Sequence, residues 1–183
     1  ENISNMNPWL GDLTGLYWVW KNTTDDFVGT TQYRRFYEEP AVNGLVYDKD
    51  TIYVSNPYAF EESIYDQYKR WHGEMPLLIL RDLAQKKIID LPFVQQLQQM
   101  NILSSCNMFF CQRELFDKLC ERLFEIIFEI YEGTKYTLPY VQPNNQTRMI
   151  AFLSERILTL IFNNINYFFK DAKIQPVPMR VIT

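Results

Sequence analysis

Two adjacent arginines, Arg34 and Arg35, follow Tyr33 directly after a predicted strand. Each guanidinium presents its donors in a planar fork that suits phosphate oxygens. Open α/β sheets also hold their ligands at the carboxyl ends of strands. The pattern is therefore typical of a phosphate-binding site. A pair of solvated or ion-paired arginines would look the same, and spacing alone favours that simpler interpretation.

A second charged pair, Arg148 and Glu155, is seven residues apart, which places both side chains on one face of a predicted helix. Phe152, Leu158 and Phe162 would enclose the carboxylate. Apolar surroundings raise the pKa of a carboxyl group, as a general base requires. A buried structural salt bridge would explain the same pattern and is the more common arrangement. Both interpretations stay open on the residues alone.

The sequence offers little for metal or nucleophile chemistry. His72 is the only histidine, so a metal site or a histidine-based triad would depend on it alone, and a solvated loop histidine is the simpler interpretation. The acidic runs at 25–26 and 48–50 fall in predicted turns. Walker, GxGxxG, GxSxG and HExxH motifs are missing from the sequence. We expect no tightly bound cofactor, and no convincing motif supports a divalent metal such as manganese or magnesium.

Composition bounds the class of protein. A formal net charge of -4 over 183 residues argues against a nucleic-acid partner. With 47% hydrophobic and 22% charged residues the chain can bury a core, so we expect one domain over residues 1–183. Three cysteines without a CxxC motif predict reduced thiols in a cytoplasmic chain. Apolar runs fall well short of the ~20 residues of a membrane helix, and no signal peptide follows the first residue, Glu1.

Hydrophobic periodicity predicts the elements that position these residues. The predicted helices cover about 8–21, 61–71, 76–87, 92–100, 112–131 and 147–165, and the predicted strands 27–33, 51–54 and 102–111. The helix at 112–131 has a single apolar stripe, and we expect it to end before Gly133. In the last helix a narrow polar stripe of Arg148, Glu155 and Thr159 lies inside an otherwise apolar surface. Alternating helices and strands favour an α/β layer fold.

Motifs along nearly the whole chain carry a resemblance. They are DLTGLYWVWKN at 12–22, VG at 28–29, QYRRFY at 32–37, YDQY at 65–68 with His72, NMFF at 107–110, and Arg148 with FLSERIL at 152–158. Together they resemble a bacterial family of exopolysaccharide, capsule and O-antigen glycosyltransferases, many of which are known only as a domain of unknown function. This sequence departs from the family at Gln32, where members have His, and at Asp12, where they have Glu.

The resemblance implies a GT-A-like mixed sheet flanked by helices, with a helix-rich C-terminal half. It implies transfer of a hexose from a nucleotide-sugar, commonly a UDP-sugar, to a saccharide or lipid-linked acceptor in capsule, exopolysaccharide or lipopolysaccharide biosynthesis. Such a protein would work in the cytoplasm, at most peripherally at the inner face of the plasma membrane. Members also begin with a further strand–helix–strand unit before the segment at 2–4, so we expect an N-terminally incomplete chain.

The resemblance and the chemistry of transfer together suggest roles for the charged residues. Arg34 and Arg35 would stabilise the departing diphosphate, in a site that depends less on a divalent metal. Glu155 would be the base, and Arg148 and Arg156 would orient it or pair with phosphate.

Further residues are candidates for binding the donor or the acceptor: Asp12, Thr14, Trp18, Gln32, Tyr33, His72 and Asn107. Among them, Asn107 would contact sugar hydroxyls. Trp18, Tyr33 and Trp71 would stack on sugar or base faces, although such aromatic residues more often belong to a core. The alternative function is a non-catalytic saccharide- or partner-binding module that keeps the fold.

Overall fold

A four-stranded mixed sheet lies at the centre of the computed structural model, which describes residues 1–45, 47–136 and 146–182. Its strands, in spatial order, are β1 (Phe27–Gly29), β6 (Phe109–Gln112), β3 (Thr51–Ser55) and β7 (Lys173–Val177). Strand β6 runs antiparallel to β1 and β3, whereas β3 and β7 are parallel. Two short antiparallel pairs join β2 (Arg35–Tyr37) to β8 (Met179–Val181) and β4 (Tyr58–Ala59) to β5 (Ile102–Leu103).

Helices flank this sheet, which confirms the predicted fold class. They are α1 (Asn7–Leu10), α2 (Leu13–Asn22), α3 (Glu39–Asn43), α4 (Ile64–His72), α5 (Met75–Gln85), α6 (Leu91–Gln96), α7 (Arg113–Thr134), α8 (Met149–Asn163) and α9 (Ile165–Phe168). The apolar stripe of α7 and nearly all of α8 are buried in one core cluster with the sheet. None of the helices in these ranges is long and apolar enough for a membrane span.

The predicted helix at 8–21 is divided at Gly11. Its φ of 52° lies in the left-handed region, which a glycine adopts without strain. A Cβ at this position would lie 3.5 Å from that of Ala151 in α8, so the bend also brings the backbone close to α8. Asp12 consequently sits at the bend between α1 and α2, and not on the side of one continuous helix.

Two predicted strands also end early or divide. The strand expected at 27–33 stops at Gly29. The apolar run at 102–111 forms β5 and β6, which belong to different sheets, because Cys106 (φ 73°) and Asn107 (φ 50°) turn the chain between them. Strands β2, β4, β7 and β8 lie outside the strands that the sequence predicts. We call residues 104–108, between β5 and β6, the turning loop.

Three helices have an end that differs from the prediction by three or four residues. Helix α4 begins at Ile64 and not at 61, α6 ends at Gln96 and not at 100, and α7 extends beyond 131. This helix does not end before Gly133 but continues to Thr134, whose hydroxyl donates to the carbonyl of Ile130. Helix α8 follows a 3-10 turn at Gln146–Arg148 and ends at Asn163, two residues before the predicted end.

Candidate functional site

A polar cleft of about 370 Å³ lies where four segments meet: the bend at Gly11–Asp12, the turn at 31–35, the turning loop and the first turns of α8. It is lined by Gly11, Asp12, Thr31, Gln32, Tyr33, Arg35, Asn107, Arg148, Ala151, Phe152 and Glu155. A second cavity of about 560 Å³, the outer chamber, shares Asp12, Thr31 and Asn107 with the cleft. The two cavities are thus adjacent, with these three residues between them.

Asp12 stands at the junction of the two cavities. Its Oδ2 accepts hydrogen bonds from Nε2 of Gln32 at 3.2 Å and from Nδ2 of Asn107 at 3.4 Å. Although the side chain opens into the cleft, the surrounding walls remove much of its hydration, and this desolvation raises the pKa of the Asp12 carboxyl. The two amides and the charge of Arg148 partly offset the rise.

The structure separates the two adjacent arginines. Arg35 lines the cleft, and its Nη1 donates to Oε1 of Gln32 at 2.6 Å. Arg34 has a φ of 64° and lies outside the residues that line the cleft, with its guanidinium carbon 4.8 Å from the ring centre of the exposed Tyr33. Of these two arginines only Arg35 lines the cleft, and the phosphate-binding role of both stays a prediction.

Glu155 contributes a second carboxylate, and protein donors hold both of its oxygens. The backbone N–H of Cys106 donates to Oε1 at 2.6 Å, and Nη1 of Arg156 donates to Oε2 at 3.1 Å. The side chain is 14% exposed. Burial raises the pKa of the Glu155 carboxyl, the charge of Asp12 adds to the rise, and Arg156, the Cys106 N–H and Arg35 oppose it.

Arg156 points into the protein and away from the cleft. Its guanidinium donates to the carbonyl of Phe152 at 2.8 Å and to the side-chain oxygen of Gln67, and it lies 5.4 Å from the ring centre of Tyr68. Only 3% of the residue is exposed, and burial lowers the pKa of the guanidinium. This position fits an orienting role toward Glu155, whereas direct pairing with a phosphate would need an access that the residue does not have.

The other predicted binding residues either line the outer chamber or lie outside both cavities. Thr14 and Trp18 line the outer chamber, where Trp18 is 50% exposed. His72 stacks on the back of Phe152, with ring centres 4.3 Å apart, and is not among the residues that line either cavity. Trp71 is exposed and also lies outside both.

Sequence reasoning missed Ser154, which orients Asn107. The Ser154 hydroxyl, fully buried, donates to Oδ1 of Asn107 at 2.9 Å and lies 2.6 Å from the carbonyl of Ala151. The hydroxyl of Thr30 donates to the backbone carbonyl of Asn107 at 3.1 Å. Nothing in the spacing of Ser154 distinguishes it from a helix serine that bonds only to its own backbone.

The carboxylates of the described ranges do not form a metal site. These ranges contain no group of three His, Cys, Asp or Glu side chains that could hold an ion. In the run at 48–50, Asp48 accepts from the N–H of Asp50 at 3.0 Å and from the hydroxyl of Thr51 at 3.1 Å, and these bonds lower the pKa of its carboxyl. It closes the turn before β3, as predicted, and does not line the cleft.

Comparisons with known proteins give one family and one fold. The family described as "Domain of unknown function (DUF4422)" matches residues 1–166. The apo structure of the WbbM bifunctional glycosyltransferase is similar, with a TM-score of 0.77 and 18% sequence identity. The match covers 100% of this chain and 38% of that one. A search of curated proteins finds no match. At this identity the structural likeness demonstrates a shared fold.

Proposed function

We propose that this chain, which belongs to the DUF4422 family, is a glycosyltransferase that moves a hexose from a nucleotide-sugar, with UDP as the expected nucleotide, to a saccharide acceptor. The polar cleft carries the proposal, because it gathers two cations, two carboxylates and two amides at one place in a fold shared with a glycosyltransferase. Acceptors of capsule, exopolysaccharide or lipopolysaccharide biosynthesis, including lipid-linked ones, are part of the proposal.

The charges of the cleft match those that develop during transfer. Negative charge grows on the departing diphosphate as the bond to the anomeric carbon breaks, and fixed cations stabilise it. Arg35 and Arg148 supply two such cations on neighbouring walls. The first turn of α8 also opens into the cleft beside Arg148, and the N-terminus of a helix favours negative charge. The diphosphate would therefore lie between the turn at 31–35 and α8.

Other groups that line the two cavities suit the sugar and the acceptor. The amide of Asn107 offers hydrogen bonds to hydroxyls, and the half-exposed Trp18 ring in the outer chamber offers an apolar face of the kind that sugars stack on. One of the two carboxylates, Asp12 or Glu155, would act as the base that an attacking hydroxyl requires. In this proposal Tyr33, Arg34 and the other predicted binding residues contact the donor or the acceptor around the reacting groups.

Transfer should be tested with UDP-, GDP-, CMP- and dTDP-hexoses and short saccharide acceptors, with products identified by mass spectrometry. We expect one nucleotide class to give product and to raise the melting temperature. Arg35→Ala and Arg148→Ala should each lower kcat/KM by about 100-fold or more, because each removes a cation from the developing charge. Arg70→Ala is the control, since Arg70 is exposed on α4 and pairs with Glu62.

Three results would change the proposal. Unaltered transfer by folded Arg35→Ala and Arg148→Ala would show that the reaction takes place elsewhere. Saccharide binding without transfer, for every donor, would support the non-catalytic binding module. Transfer that EDTA abolishes and manganese restores would show that a divalent metal stabilises the departing diphosphate together with the arginines.

A further inference from the structure

The two carboxylates of the cleft are held in different ways, and this difference assigns them different tasks if the proposed glycosyl transfer is correct. Fixed protein donors engage both oxygens of Glu155. At Asp12 the two amides converge on Oδ2, and no other side chain of the described residues donates to this carboxylate. The backbone N–H of Asp12 also bonds to its own carboxylate. Asp12 is nevertheless exposed and lines both cavities, so a ligand can reach its carboxylate more easily than that of Glu155, whose side chain is 14% exposed.

The hydrogen bonds from Arg35 to Gln32 and from Gln32 to Asp12 have only one possible donor–acceptor order. A guanidinium donates and never accepts, so Arg35 fixes the Oε1 atom of Gln32 toward itself. The amide nitrogen of Gln32 must then face Asp12, to which it donates. A phosphate-binding cation is in this way connected to the carboxylate through one oriented amide.

The second amide is oriented from α8. Ser154 donates to Oδ1 of Asn107, which turns Nδ2 of Asn107 toward Asp12. Glu155 secures the same loop, because its Oε1 accepts the N–H of Cys106, the residue before Asn107. Glu155 therefore influences Asp12 through the backbone of the turning loop.

We propose that Asp12 accepts the proton of the acceptor hydroxyl, and that Glu155 is a positioning residue that holds the turning loop and Asn107 against it. In the step, the hydroxyl gives its proton to the carboxylate of Asp12, and its oxygen forms the new bond to the anomeric carbon. The bond from that carbon to the diphosphate oxygen breaks, and the electron pair leaves with the diphosphate. Asp12 returns the proton to solvent after product release.

The groups around Asp12 determine how this base titrates. Arg148, which immediately precedes α8, and Arg35, through Gln32, favour the ionised carboxylate, whereas the negative charge of Glu155 opposes it. Desolvation outweighs the donors, so the pKa of Asp12 is raised. Transfer should consequently fall on the acid side, as Asp12 becomes protonated, at a pH above the ordinary range for an aspartate.

The test compares Asp12→Asn, Glu155→Gln and Gln32→Met in kcat/KM measured against pH. Asp12→Asn should lower kcat by about 100-fold or more, while the donor still raises the melting temperature. It should also remove the acid limb, which is the fall in kcat/KM toward low pH. Glu155→Gln should keep the acid limb, because its amide oxygen can still accept from Cys106. Gln32→Met should move that limb to higher pH, since it removes a donor that favours the ionised carboxylate. Asp82→Asn, on the exposed surface of α5, is the matched control.

Azide provides a separate readout because it attacks without losing a proton. With azide as the nucleophile, Asp12→Asn should consume the donor as fast as the unaltered protein, whereas a merely structural defect would slow both reactions. An unchanged acid limb in Asp12→Asn, or its loss in Glu155→Gln alone, would overturn the assignment while transfer itself stands. Failure of the unaltered protein to transfer hexose from any donor would instead refute the proposed function and this assignment with it.

Discussion

Replacing Gly29 with alanine should separate two paired strands, because its place in β1 leaves no room for a side chain. A Cβ there would lie 2.2 Å from the Cβ of Phe110 and 2.6 Å from the carbonyl oxygen of Phe109. Both atoms belong to β6, in which Phe110 is the direct partner of Gly29. Neither atom can rotate away, so the backbones must move apart. Overpacking costs typically about 1–3 kcal/mol, and a clash with backbone places Gly29→Ala near the upper value.

Gly15→Ala is the matched control for Gly29→Ala. Gly15 lies inside α2, and an added Cβ would meet no atom within 4 Å. Alanine there should stabilise the fold by about 0.5–1 kcal/mol, because it favours the helix over the unfolded chain.

The assay is urea and thermal unfolding of both variants. For a chain of this length, a loss of about 3 kcal/mol corresponds to a fall of about 6–12 °C in Tm. Equal stability of Gly29→Ala and the unaltered protein, or equal losses for the two variants, would refute this reasoning.

Two further predictions concern titratable groups. Burial raises the pKa of all three cysteine thiols, that of Cys111 to about 12. Cys106 lines the outer chamber, whereas Cys111 and Cys120 are buried away from both cavities, so a thiol reagent should label Cys111 and Cys120 only after unfolding. Rapid labelling of these two residues in the folded protein would contradict this. Because the pKa of Asp12 is raised in the folded state, the folded protein binds that proton more tightly than the unfolded chain does. The stability of the unaltered protein relative to Asp12→Asn should therefore decrease as pH rises from the ordinary aspartate range through the raised pKa. Urea unfolding of both proteins at several pH values measures this difference. An increase with pH would show that the pKa of Asp12 is lowered by folding and not raised.

The elements that depend on local sequence could be predicted, and those that depend on distant contacts could not. The apolar stripe of α7 repeats with the helical period, so the sequence alone identifies the helix. The break at Gly11 requires knowledge of how closely α8 approaches. Strand β7 contains Pro176, which discourages a strand assignment, but β7 lies at the edge of the sheet, where a proline is tolerated.

At the candidate site, residue types could be predicted better than their directions. The sequence indicates that arginines near position 34 and a carboxylate at 155 could do chemistry, yet it cannot tell which of two adjacent arginines faces a cavity. The positive φ of Arg34 is a property of the turn, and it leaves only Arg35 on the cleft wall. Gln32 and Asn107 emerge as the hydrogen-bond partners of Asp12 only when three segments distant in sequence are brought together.

The polar stripe predicted along the last helix explains how the fold and the site depend on each other. Thr159 accepts the backbone N–H of Ser104 at 2.9 Å, and Glu155, one turn earlier, accepts that of Cys106. The turning loop needs these acceptors, because a buried N–H without a partner is costly. Since α8 is otherwise packed in the core, the loop that presents Asn107 to the cleft is held by a buried helix. Polar residues inside an apolar helix thus position the site, whichever carboxylate reacts.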